Sequence, residues 1–294
     1  MFQPRLKLIS AVLLMSGLSA PVMAEEATVA ADAAPAAVEP KPDWTFPGSV
    51  SLVSDYIFRG QSQSWGRPSL QFAVEADHKS GLYAGFSAET VSDKWLPGAN
   101  LEADYYAGFR STLPGIASAV GFDVGAIYYT YPNGDWDQSA FPSKSATLDT
   151  AEAYLALSYS WLTLKTGVTL GPYFGWNKNN SGVGIGFNGD LKAGVTGNTT
   201  GSYYYEADGL YEFFPTWTVN GQIGHQVINN STGLDITYFK AGVTKAFASG
   251  WSVGASYSAT NEPSAYKNFL SLENTTSQSD IAKDKFFVSV SKSF

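Results

Sequence analysis

Polar and apolar residues alternate along most of this chain. Leu101, Ala103, Tyr105, Ala107 and Phe109 share one side of an extended segment, with Glu102, Asp104, Tyr106, Gly108 and Arg110 on the other. Leu70, Phe72, Val74 and Ala76 oppose Gln71, Ala73, Glu75 and Asp77 in the same way. Trp251, Val253, Ala255 and Tyr257 oppose Ser252, Gly254, Ser256 and Ser258. A period of two is that of a β-strand with two unlike faces, and a helical period fits none of these segments. Twelve strands are predicted, near residues 49–61, 69–78, 81–90, 100–111, 119–130, 150–160, 162–174, 202–214, 216–227, 235–247, 251–261 and 283–294.

The connections sort by length. Those after strands two, four, six, eight and ten are short: His78-Lys79-Ser80-Gly81, the stretch around Pro114-Gly115, Ser160-Trp161, Phe214-Pro215-Thr216 and Ser249-Gly250. The others are mostly longer, and 131–149, 175–201 and 262–282 are the longest. Short turns alternating with long loops predict an all-β, transmembrane antiparallel β-barrel. Its short turns and both termini would lie in the periplasm, with the long loops outside. A soluble sandwich or lipocalin-like barrel explains the alternation of faces but not the segregation of turn lengths. Trp161, Trp217, Trp251, Phe247 and Phe294 fall at one level, as an interfacial aromatic belt on the short-turn rim would.

The ends of the chain change the picture. Arg5 and Lys7, the apolar stretch from Leu8 to Leu18, and Val22-Met23-Ala24 read as a signal peptide over residues 1–24. Residues 25–43 are rich in Ala, Pro and Glu, read as a disordered periplasmic leader before a barrel at 44–294. Two of the chain's 18 basic residues lie in the signal, so its removal leaves 16 basic and 26 acidic residues, a formal charge of −10. That balance argues against nucleic acid as a partner. The chain has no cysteine, hence no lipoprotein anchor and no disulfide framework. At the other end Phe286, Val288 and Val290 alternate with Phe287, Ser289 and Ser291, and the last residue is Phe294. That closing strand resembles the signal read by the barrel assembly machinery; Lys292 departs from its usual pattern.

A denser resemblance lies over residues 50–90. Ser54-Asp55-Tyr56-Ile57-Phe58-Arg59-Gly60 is followed by Gln61-Ser62-Gln63, then by Pro68, Gln71 and His78-Lys79-Ser80-Gly81-Leu82-Tyr83-Ala84-Gly85. These residues resemble the TorF porin family, formerly a family of unknown function. Gln61 and Ala88-Glu89-Thr90 depart from its pattern. The resemblance implies a channel in the bacterial outer membrane.

In such a barrel the inward faces carry Asp55, Glu75, Asp77, Glu89, Glu102, Asp104, Asp123, Glu152, Glu206, Asp208 and Glu212, with Arg59, Arg110, Lys165 and Lys240 as inward cations. Asp55 and Arg59 are expected on one strand, about 13 Å apart along it. An acidic, water-filled lumen would pass small polar solutes with a weak cation preference; the same charges could instead pair across strands and fill a narrow barrel that serves as a structural or surface-binding protein. A third reading, an outer-leaflet lipid hydrolase, needs a histidine with a nucleophile. His78 reads as a turn residue, and His225 has no serine two residues on. The expected partners are outer-membrane lipids, the assembly machinery and small polar solutes, with no cofactor, metal or catalytic residue. Gly182-Val183-Gly184-Ile185-Gly186-Phe187 is read as a loop hairpin or a segment folding inward to narrow the pore.

Overall fold

Alternating faces make strands that cannot stand alone, and in this chain they pair into a ring. The computed structural model describes residues 42–113, 120–141, 143–187 and 189–294. The predicted signal peptide, nearly all of the leader and most of the turn around Pro114-Gly115 lie outside the described residues. Twelve strands form the barrel: β1 (Gly48–Val53), β2 (Ser69–His78), β3 (Leu82–Thr90), β4 (Leu101–Thr112), β5 (Val120–Thr130), β6 (Thr150–Tyr159), β7 (Leu162–Thr169), β8 (Tyr203–Phe214), β9 (Trp217–Val227), β10 (Ile236–Ala246), β11 (Trp251–Thr260) and β12 (Lys285–Ser293). Each pairs antiparallel with its neighbours in sequence, and β12 returns to β1 with Ser291 opposite Ser51. Phe294 and Gly48 exchange two backbone hydrogen bonds of 3.0 Å, which extends the seam to the last residue. A closed ring leaves no unpaired edge, the condition for a sheet in lipid.

The faces settle which side meets lipid. Leu52, Leu70, Val124, Leu155, Leu164, Val219, Ile223, Val253 and Val290 are exposed, whereas Glu75, Glu89, Glu102, Asp104 and Glu152 are buried. An apolar exterior around a polar interior is the reverse of a soluble barrel. Trp161, Trp217, Phe247, Trp251 and Phe294 are exposed at the short-turn rim, and Tyr105, Tyr128, Tyr203 and Tyr257 lie toward the other end. Lys292 on β12 donates to the carbonyl oxygens of Ser249 and Ser293 at the rim.

Two predicted strands end early. The first stops at Val53 rather than 61, and the seventh at Thr169 rather than 174. The chain bends at Ser54-Asp55 after the first and at Leu170-Gly171 after the seventh, and positive φ at Arg59, Gly60 and Phe174 turns each continuation further from the wall.

Candidate functional site

The segment beyond β1 folds into the lumen. Ile57–Phe58 pairs with Gln61–Ser62 around the tip Arg59-Gly60, where φ is +45° and +79°. Two successive positive φ values in a two-residue loop make a tight type I′ hairpin. Gly60 is required by close approach as well, since a Cβ there would stand 2.6 Å from Thr260 and 2.8 Å from Tyr238 on the barrel wall. From this tip Arg59 reaches the far strands. Its guanidinium donates to Glu152 on β6 through two bonds of 2.9 and 2.6 Å, and to Gln226 on β9 at 2.7 Å. It also lies 3.8 Å over the ring of Tyr204 on β8. A bidentate, buried arginine–carboxylate pair fixes both distance and orientation. Asp55 and Arg59 therefore do not share a strand, and the carboxylate that Arg59 pairs with is Glu152.

Asp55 ties the base of this hairpin. It accepts hydrogen bonds from Ser62 (2.5 Å) and Ser64 (2.9 Å) and pairs with Lys285 at 3.4 Å. Gln63 accepts from the indole of Trp95 at 3.1 Å, which joins the hairpin to the next loop.

The other inward charges form groups along the wall. Arg110 donates to Glu75 at 2.7 Å, approaches Asp77 at 3.6 Å and lies 3.8 Å over the ring of Tyr83. Tyr83 donates to Asp123 at 2.5 Å and shares a short contact with the hydroxyl of Tyr154. Lys165 pairs with Glu206 at 3.7 Å, and Glu206 also accepts from Tyr238 at 2.9 Å. Asp208 accepts from Gln222 at 2.9 Å; Lys240 stands opposite Gln222 and Ser258. Glu89, Glu102 and Asp104 come together on β3 and β4. Glu212 alone stands outside the packed interior, exposed at the rim and accepting from the backbone of Thr216 at 2.8 Å.

Above the hairpin the long loops pack into an aromatic cap. Trp95 meets Trp176 and Phe269 edge-on at 6.2 and 4.9 Å, and Phe187 meets Trp176, Tyr266 and Phe269. Phe187 ends the glycine-rich run 182–187, so that run enters the cap, while Val183 and Ile185 stay exposed. Beneath the cap a cavity of about 30 Å³ is lined by Phe58, Gln61, Trp95, Tyr131 and Phe174 among others. Room on that scale suits a single water, not a passage.

Several interior residues carry no charge that would mark them in the sequence. Tyr83, Tyr106, Tyr154, Tyr204 and Tyr238 fill the lumen, each directly opposite an inward glycine: Gly108, Gly85, Gly125, Gly167 and Gly224. Their parity was visible in the sequence. Gln226 and Lys285 likewise have inward parity but stand at strand ends, where alternation is weakest as a guide. His225 does meet a hydroxyl: its Nδ1 lies 2.8 Å from Thr237 Oγ1 on the outer face. The contact ties β9 to β10 across the outer face.

A closed twelve-stranded barrel with an apolar exterior, two aromatic girdles and a charged interior defines a β-barrel protein of the bacterial outer membrane. The chain belongs to a family described as "Bacterial protein of unknown function (Gcw_chp)", whose model matches residues 37–294. No curated protein matches it. Among solved structures it is similar to the KdgM porin in complex with disordered oligogalacturonate, at 7% identity over 85% of this chain and 99% of that one, with a TM-score of 0.46. The NanC porin gives 9% identity over 85% and 99%, with a TM-score of 0.47. The COG4313 outer membrane channel from Pseudomonas putida F1 gives 14% over 90% and 100%, with a TM-score of 0.43.

Proposed function

We propose that this protein is a porin-like channel for small polar solutes that rests closed, with the hairpin 57–62 as its plug and Arg59 as the latch. It is a transporter and not an enzyme in this reading, in keeping with the TorF-like motif that forms the plug. The observation that carries the proposal is the reach of Arg59 across the lumen to Glu152 and Gln226. The plug is no part of the barrel wall, and side-chain bonds hold its tip. It can withdraw without breaking the ring of strands. The wall behind it is polar, as a solute path requires.

The test is planar-bilayer conductance of the unmodified protein and of Arg59→Ala combined with Glu152→Gln. Removing both partners avoids leaving a charge buried alone, which by itself costs about 3–5 kcal/mol. The double variant should open more often and conduct more than the parent. Silence of both proteins would sink the channel reading. It would favour a filled barrel that binds partners through its loops, for which the aromatic cap over 95–269 is the specific support.

A further inference from the structure

Glu89 and Glu102 stand directly opposite one another on β3 and β4, and Asp104 follows on the same inward face opposite Ser87. Like charges at directly opposed positions destabilise a sheet. Here the opposition is also dry, because the three side chains are 0%, 1% and 2% exposed. Among the described residues, neither carboxylate oxygen of Glu89 has a hydrogen-bond partner, nor has Glu102 Oε2 or Asp104 Oδ1. The remaining oxygens are touched by hydroxyls alone, Glu102 by those of Tyr56 (3.4 Å) and Tyr131 and Asp104 Oδ2 by that of Ser87 at 3.4 Å. The arginines of the lumen are engaged elsewhere, Arg59 with Glu152 and Arg110 with Glu75 and Asp77. Buried carboxylates without a counter-charge are among the costliest arrangements a protein can hold.

We propose that Glu89, Glu102 and Asp104 bind one hard divalent cation, of the calcium, magnesium or manganese kind, on the lumen wall. One oxygen from each of the three lies within 4.8 Å of the others. Two ligands on opposite sides of a calcium ion are about 4.8 Å apart, so the spread encloses a single ion. The donors are all oxygen, which selects hard cations over zinc or copper. Two hydrogen-bonded strands hold the donors in place, and the two buried oxygens of Glu89, which meet no hydrogen-bond partner among the described residues, are left open to an ion. Bound there, the ion neutralises the wall just beside Tyr56, the residue immediately before the hairpin 57–62. This site does not depend on conduction, and its test uses none.

The experiment takes the full-length purified barrel in detergent, strips it with a chelator, and titrates it with calcium, magnesium or manganese chloride by calorimetry. Terbium, excited through the neighbouring Tyr56, reports the same site by luminescence. One saturable site per chain and a rise in unfolding temperature are expected. Glu89→Gln and Glu102→Gln should each weaken binding at least about tenfold, while Glu212→Gln at the exposed rim leaves it unchanged. Absence of saturation up to about 10 mM, beyond the range of weak extracellular calcium modules, overturns the proposal. So does undiminished binding in Glu89→Gln, or a Glu89→Gln barrel that is stabilised and indifferent to metal, since the acids would then be holding protons. If the variants do not fold, anomalous scattering from manganese in crystals of the unmodified protein decides. A peak between the three carboxylates supports the site, and none there overturns it.

Discussion

Gly167 lies opposite Tyr204 on the inward faces of β7 and β8, and a Cβ on it would stand 2.5 Å from the ring. The glycine is there because the ring lies flat over its backbone, where only a residue without a side chain leaves room. Four further tyrosine–glycine pairs repeat the arrangement around the lumen, so the rings pave the wall and carry Arg59, Arg110 and Lys165 on their faces. Gly167→Ala should therefore destabilise the barrel by about 1–3 kcal/mol, the usual cost of overpacking, read as a lower urea midpoint in lipid vesicles. Gly209→Ala makes the comparison, because its Cβ would meet Trp161 at an ordinary 3.5 Å. Equal losses at both positions would show that the ring contact is not the cause. At this scale the sequence told which face a residue takes but not which partner it finds. Alternation assigns inward parity to Glu152, Tyr204 and Gln226, yet nothing local says that one arginine from a distant hairpin gathers all three.

The hairpin 57–62 is where element-level reading failed, and the cause is specific. Tyr56-Ile57-Phe58 has strong strand character, so the pattern ran on to residue 61, whereas Arg59-Gly60 turns the chain back. Apart from the seventh strand, which stops at Thr169, the remaining strand boundaries lie close to expectation because alternation persists to the turns. Loop structure is beyond such reading, since its bonds follow no period along the chain. Asp135 shows the kind of bond that organises the loop 131–149. It accepts from the backbone of Asp137 and Ala146, both at 2.9 Å, and from Ser145 at 2.8 Å. Burial alone would raise its pKa, but these donors together hold it below the usual carboxylate range. A lowered pKa means that the charged form stabilises the folded loop, fully above the ordinary aspartate value and less as pH falls through the lowered one. Hydrogen exchange of 131–149 should stay protected at neutral pH and loosen only below the ordinary carboxylate range, and Asp135→Asn should flatten that dependence. The last strand carries a separate prediction. Phe286, Val288, Val290 and Phe294 are exposed on the outer face, and Phe294 closes the seam against Gly48. Deleting Phe294 should slow insertion by the assembly machinery and leave degraded periplasmic protein. Normal membrane levels of the truncated chain would show that Phe294 is no such signal.

The whole molecule gathers its long loops at one end and its short turns at the other, and the orientation proposed is loops outward with both termini in the periplasm. Protease or tags on whole cells should then reach 131–149 and 262–282 but not the turn at His78; the reverse pattern would invert the barrel. Orientation matters less to ion preference than the balance of charge within. With the Arg59–Glu152 pair removed, the inward groups are Glu75, Asp77, Glu89, Glu102, Asp104, Asp123, Glu206 and Asp208 against Arg110, Lys165, Lys240 and Lys285, with Asp55 held at the hairpin base. An excess of carboxylates lowers the energy of a cation in the lumen and raises that of an anion. Screening acts over only about 8–10 Å at ordinary salt, so the preference should be strongest in dilute electrolyte. Reversal potentials of the Arg59→Ala, Glu152→Gln barrel under a KCl gradient should favour K⁺ over Cl⁻. Adding Glu102→Gln and Asp104→Asn should reduce that preference while the strands stay paired, because inward positions accept polar exchange more readily than lipid-facing ones. If a divalent ion sits on Glu89, Glu102 and Asp104, chelation should strengthen the preference before those substitutions and leave it unchanged after them. A preference for Cl⁻ in the opened barrel would place control with Arg110 and Lys165 on their tyrosine rings, and would overturn the acidic-lumen account of selectivity.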